Sequence, residues 1–225
     1  MQNERMLTWT NFLTAVIIAV FVISASVTFT LFDRSAYARM QERIDLPGLT
    51  GFSGEEIIAN YNALIDYNSV FNRSPLSFPT LEISESGRIH FEEVKAIFSA
   101  IQIALIVSAV LTAFLCVLLL KKRRLKFLTL GGIMSLVIPA IVVIVMATLG
   151  WDRFFVIFHQ IFFNNEFWVF DYRTDPIILL LPDTWFLYCL IRIVSGICVT
   201  SVILILLPKT LEKILIFINK KIKSH

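Results

Sequence analysis

Four stretches of this chain are long and apolar enough to cross a membrane as helix: Phe12–Phe32, Ala96–Leu120, Phe127–Leu149 and Thr184–Leu207. A hydrocarbon core of about 30 Å needs roughly 20 consecutive apolar residues at helical rise, and each stretch meets that length. Arg192 is the only formal charge inside any of them. Together they use nearly half of the 225 residues, and only 16% of the chain is charged, too little for an ordinary soluble domain. The expected architecture is membrane α-helical, a four-transmembrane-helix bundle. It forms a single membrane domain over 1–225, with an outer cap drawn from 33–95 and 150–183.

The first stretch is long for a secretory signal. Ala36-Tyr37-Ala38 has the small-x-small pattern of a cleavage site, but the apolar run before it exceeds a typical signal core of about 7–15 residues. A retained anchor is expected.

Orientation follows from where Lys and Arg collect. The connector Lys121-Lys122-Arg123-Arg124-Leu125-Lys126 carries five cations and no acid, and the tail adds Lys209, Lys213, Lys220, Lys221 and Lys223 against Glu212. Segment 33–95 holds ten acids and six bases, and 150–183 holds five acids and two bases. These two segments are therefore expected outside, with both termini in the cytoplasm of a multi-pass cell-membrane protein. The basic residues are flush with membrane ends, so the net charge of +3 speaks for topology and membrane lipids and against nucleic acid. Cys116, Cys189 and Cys198 all fall within expected spans, which excludes an outer disulfide framework.

The cap has its own pattern. Ser53-Gly54-Glu55-Glu56 is a capping box, followed by an apolar stripe of Ile57, Ile58, Tyr61, Leu64 and Ile65 that predicts a short amphipathic helix ending near Asn68. Leu81 to Phe91 alternates around Glu85-Ser86-Gly87 and predicts a hairpin, with His90 projecting from the end of its second strand. Phe154 to Phe163 predicts an interfacial helix on which Arg153, Gln160 and Asn164 share a face bordered by His159. Trp168 to Asp171 reads as strand-like. Pro139, midway along the third span, predicts a kink.

His90 and His159 are the chemical candidates, since imidazole is the usual acid–base group near neutral pH; His225 is a tail residue. Zinc bound by His90, His159 and Asp171 or Asp175 is an alternative without His-x₃-His or His-Glu-x-x-His spacing to support it. No Gly-x-Ser-x-Gly appears, so serine hydrolysis lacks its signature. Arg192 lies about 12 Å below the outer end of its span at helical rise. A charge at that depth needs a carboxylate, carbonyls or a polar ligand, and Asp171, Asp175 and Asp183 lie on the connection above it.

His90-Phe91-Glu92-Glu93-Val94-Lys95 resembles the His-Leu-x-Asp-Val-Lys segment of the bacterial lipoprotein intramolecular transacylases. Phe158-His159-Gln160-Ile161-Phe162-Phe163, with Trp168, Phe170-Asp171 and Asp175, resembles that family's second block, and the four-span arrangement is similar. Glu93 stands in for the usual Asp, and Tyr172 stands where Pro is expected. The resemblance implies an acyltransferase that moves the sn-2 acyl chain of an S-diacylglyceryl N-terminal cysteine to its α-amine, giving lyso-form lipoproteins. Diacylglyceryl-modified lipoproteins would be the substrates, His90 and His159 the catalytic pair, and no cofactor would be needed. Lys95, Asp171, Asp175 and Arg192 are the expected binding or supporting residues. The resemblance also implies a small outer α+β cap with a β-rich cradle. The alternative from another class is a non-enzymatic accessory subunit that binds a partner through its cap.

Overall fold

The computed structural model describes Gln2–Lys121 and Leu125–Lys223, with side chains described over 9–118 and 125–211. Lys122, Arg123, Arg124 and His225 lie outside the described residues, as do the side chains of Lys121, Glu212, Lys213, Lys220, Lys221 and Lys223.

Among the described residues ten helices follow in order: α1 (Gln2–Phe32), α2 (Arg34–Arg43), α3 (Leu46–Thr50), α4 (Gly54–Tyr67), α5 (Glu85–Lys121), α6 (Lys126–Ser135), α7 (Val137–Leu149), α8 (Trp151–Phe162), α9 (Ile177–Leu180) and α10 (Asp183–Lys223). The four apolar stretches lie in α1, α5, the α6–α7 pair and α10, each long and apolar enough to cross a membrane. Large apolar side chains such as Phe29, Val110, Phe114 and Ile144 are exposed along them, as lipid contact requires. The third stretch breaks at Leu136. Pro139 has no N–H to return to the Ser135 carbonyl, so the chain makes a tighter bond, Leu136 N–H to Ile133 O at 3.1 Å, and then resumes as helix.

The chain packs as two compact units. One comprises residues up to Ser26, Ala104–Val143 and the chain from Ile193 onward; the other comprises Val27–Ile103 and Ile144–Arg192. The first is centred on Ile18, Val22, Leu125, Phe127, Leu128 and Ile197. The second holds the cap, and its core runs through Tyr37, Leu46, Ile57, Tyr61, Ile177, Leu180 and Trp185. Tyr37 and Tyr61 stack at 3.5 Å with nearly parallel rings, and the Tyr37 hydroxyl donates to the Leu180 carbonyl at 2.6 Å. Ala36 and Tyr37 of the small-x-small pattern are thus core residues of α2. α4 carries both bonds of the Ser53–Glu56 capping box, buries Ile57, Tyr61, Leu64 and Ile65, and ends at Tyr67 with Asn68 as its C-cap.

The hairpin expected over Leu81–Phe91 does not form: helix α5 begins at Glu85. Ser84 caps it, its Oγ accepting from Gly87 N–H at 3.0 Å, while Arg88 N–H makes the first helical turn onto Ser84 O at 2.9 Å. Arg88 pairs with Glu85 and Glu92, the i,i+3 and i,i+4 partners that only a helix brings together. Gly87 reads as a turn residue yet serves a close approach. A Cβ there would lie 2.2 Å from Asp175 Oδ1 and 3.1 Å from the Phe170 ring. Trp168–Asp171 is likewise loop and not strand, entered from a turn in which Val169 N–H donates to Glu166 O at 3.0 Å. No strand occurs among the described residues, so the β-rich cradle has no counterpart among them; helices and ordered loops form the cap.

Candidate active site

His90 and His159 belong to the same compact unit. His90 sits in the second turn of α5, 5% exposed. Its placement depends on where that helix starts. Asp175 fixes the start: it is 2% exposed, and its Oδ1 accepts the Ser84 N–H at 2.8 Å while its Oδ2 accepts the Thr174 hydroxyl at 2.7 Å. A buried carboxylate held by such donors is a rigid anchor.

His159 comes from α8, which follows α7 directly through Gly150 at φ +79°, a conformation open to glycine. The inward side of α8 carries Phe155 and His159, one helical turn apart, while Arg153 and Gln160 are exposed; Asn164, expected on their face, lies beyond the end of the helix. The His159 Nδ1 lies 2.7 Å from the Phe155 carbonyl oxygen. A carbonyl can only accept, so in the neutral ring the proton resides on Nδ1 and the Nε2 lone pair is free. Burial pushes the His159 pKa below its ordinary value, and the Phe155 hydrogen bond only partly opposes that. The ring therefore stays neutral at pH 7.

The two imidazole centroids are 6.2 Å apart. Phe163 touches both, at 4.7 Å from His90 and 5.6 Å from His159. Phe170 lies 5.5 Å from His90, and Phe155 and Trp168 lie 4.2 and 4.8 Å from His159. His90 Nδ1 is buried and has no hydrogen-bond partner among the described residues. The result is two imidazoles in an aromatic enclosure, close enough for one reacting group to touch both.

This arrangement can be set against known proteins. A family model for the lipoprotein intramolecular transacylase Lit matches residues 12–186. The chain belongs to that family. It is thus a membrane-integral acyltransferase of the lipoprotein intramolecular transacylase kind. An in meso structure of Lit from Bacillus cereus is similar at 30% identity and TM-score 0.86, covering 97% of this chain and 99% of that one. Two further Bacillus cereus Lit structures carry a histidine replaced by arginine or by alanine; both align at 30% identity and TM-score 0.85. The first covers 99% of this chain and 96% of that one, the second 94% and 96%. Among curated protein sequences, none matches the chain significantly.

Within this Lit-family chain the four supporting candidates are engaged with partners other than the histidines. Lys95 Nζ donates to the Asn72 carbonyl at 2.8 Å and lies 4.1 Å above the Tyr67 ring. Asp171 is bound by Arg173 through the side chain and N–H, which lowers its pKa to about 2. Asp175 anchors α5. Arg192 pairs with Asp33, and not with Asp171, Asp175 or Asp183, and its Nη1 lies 3.4 Å from the Tyr188 hydroxyl. Ser35 Oγ–H, Ala36 N–H and the Arg192 guanidinium together hold the Asp33 carboxyl below its ordinary pKa. No group of three His, Cys, Asp or Glu side chains among the described residues is gathered as a metal would need, so the His–His–Asp set of the zinc reading does not assemble.

Sequence reasoning missed Asp33 and Ser84. Asp33 was visible as the first charge after the first apolar stretch, and Ser84 as the cap before the 3,4-spaced Glu85, Arg88 and Glu92.

Proposed function

We propose that this protein moves the sn-2 acyl chain of an S-diacylglyceryl N-terminal cysteine onto that cysteine's α-amine, with His159 as general base and His90 as the partner at the ester. The observation that carries this reading is the His159 Nδ1–Phe155 carbonyl contact, which leaves Nε2 free to take a proton. An α-ammonium with a pKa of about 8 is a poor nucleophile until deprotonated. His159 Nε2 accepts one of its protons, and the amine nitrogen attacks the sn-2 carbonyl carbon. The C–N bond forms, and the nitrogen's second proton passes by way of neutral His90 to the glyceryl oxygen as the C–O bond to glycerol breaks, while His159 later returns the first proton to solvent. Ester and amine belong to one molecule, so no external acyl donor enters.

The ring walls of Phe155, Phe163, Trp168 and Phe170 favour aminolysis over hydrolysis by leaving little room for water. Holding the two ends together supplies proximity, for which effective molarities of about 10⁵–10⁸ M are known in intramolecular reactions. The charge asymmetry of the loops supports a site on the outer face with both termini cytoplasmic.

Mass spectrometry of a purified diacylglyceryl lipoprotein after incubation with the enzyme tests the reading. Wild type should yield the N-acyl, lyso form. His90→Ala and His159→Ala should each lower the rate about 10²–10⁴-fold, the double variant little further. Normal turnover by monodisperse His159→Ala would remove it as the base. Absence of lyso product from wild type would favour the accessory-subunit reading.

A further inference from the structure

Glu93 follows His90 by three residues on α5, so the two side chains are neighbours on one face of that helix. Its Oε1 accepts from Asn165 Nδ2 at 2.8 Å. Its Oε2 is buried and has no hydrogen-bond partner among the described residues. Leaving half of a carboxylate's acceptor capacity unused in a buried place is costly, and among the described residues no cation forms an ion pair with it. Arg88 is paired with Glu85 and Glu92, and Lys95 is turned to the Asn72 carbonyl and the Tyr67 ring. The neighbouring carboxylates are already engaged: Asp171 by Arg173, Asp175 by Ser84 N–H and Thr174.

Glu93 is also wired to the wall of the site. The Asn165 carbonyl accepts from Trp168 Nε1 at 3.1 Å, and Trp168 packs on His159 with centroids 4.8 Å apart. One arm of the carboxylate thus sets the wall beside one histidine, and the other arm is free one turn from the other histidine.

We infer that Glu93 Oε2 receives the α-ammonium of the substrate's N-terminal cysteine. This rests on the acyl-transfer reading above. The ammonium brings a charge and three N–H donors, which match a buried oxygen lacking both. Glu93 holds the ammonium form and directs one N–H toward imidazole. When that proton moves to His159 Nε2, the neutral amine is held less strongly and is free to reach the ester carbonyl. The amide product carries no charge and loses the contact, which favours its release.

The test uses full-length protein in nanodiscs and a cysteinyl peptide whose two acyl esters are replaced by ethers, so that it binds but cannot react. Its affinity is compared with that of the same peptide lacking the α-amino group. Wild type should prefer the amine by about tenfold or more, as expected of a charge-assisted hydrogen bond. In Glu93→Gln, Oε1 still accepts from Asn165 while the charge is lost, and the preference should vanish. Glu93→Asp should keep most of it. If Glu93→Gln retains the preference, or wild type shows none, Glu93 is not the ammonium site although the lipid-peptide reading stands. If wild type binds neither peptide, the substrate reading itself fails and takes this inference with it.

Discussion

His159 illustrates how one backbone contact fixes a tautomer. The Nδ1–H held by Phe155 O leaves Nε2 as the basic atom, and burial keeps the ring's pKa below its ordinary value near 6.5. The sign is definite: a histidine with a lowered pKa stays deprotonated as pH falls, until the pH passes below 6.5. The kcat/KM for lyso-lipoprotein formation should therefore show no acid-side decline between pH 8 and about 6.5 and fall only below that. A midpoint above pH 7 on the acid side would remove His159 as the controlling base. His90 and His159 were both legible as residues in the sequence. What the sequence could not supply was their 6.2 Å separation or the tautomer, because both depend on where two helices separated by a long stretch of chain begin.

At the scale of elements, two serine caps separate stability from chemistry. Ser53 begins α4, which packs the cap core, and Ser84 begins α5, which carries His90. Either serine changed to alanine should cost about 0.5–2 kcal/mol of stability. Ser84→Ala should also lose several-fold in turnover at temperatures where the protein remains folded, because the first turn of α5 loses its fix. Ser53→Ala should keep normal turnover there. Thermal unfolding in detergent read alongside initial rates makes the comparison, and equal turnover in the two variants would show that the cap of α5 does not set the site.

The same pair shows what was readable. Ser53-x-x-Glu56 is a complete local signature, and the end of the helix it starts was legible to within a residue. Ser84 is followed three residues later by Gly87, which carries no such signature and suggests a turn. Gly87 is small because Asp175 presses against it from 88 positions further along, a long-range cause that leaves no periodic trace. The absence of the expected strands has the same origin: alternation over a few residues is weak where one buried carboxylate decides the start of a helix.

Across the whole molecule, the apolar lengths were the most legible property, since each span satisfies a requirement set by the bilayer and by nothing else in the chain. Their orientation is expected to follow the cations. Reporter fusions at Asn72 and Asn165 should be outside, and one within 121–126 inside; opposite sides for Asn72 and Asn165 would separate the two histidines and end the mechanism. Arg192 was recognised as a charge needing a partner, but the partner lies at the far end of the sequence. A thermal-stability cycle of Asp33→Asn, Arg192→Leu and the double variant should give a coupling of about 0.5–3 kcal/mol, with the double variant less destabilised than the sum of the singles. A coupling near zero would make the two side chains independent.

The Asp33–Arg192 pair also orders events during synthesis. The two residues are 159 positions apart, so the ribosome delivers the carboxylate long before the guanidinium exists. Of the partners the Asp33 carboxylate has among the described residues, Ser35 and Ala36 are made at once and Arg192 last. The last span then arrives carrying a charge that the membrane resists and finds its counter-ion already in place. A nascent chain stalled before Arg192 should leave the α1–α2 junction open to membrane proteases, and release of the stall should close it.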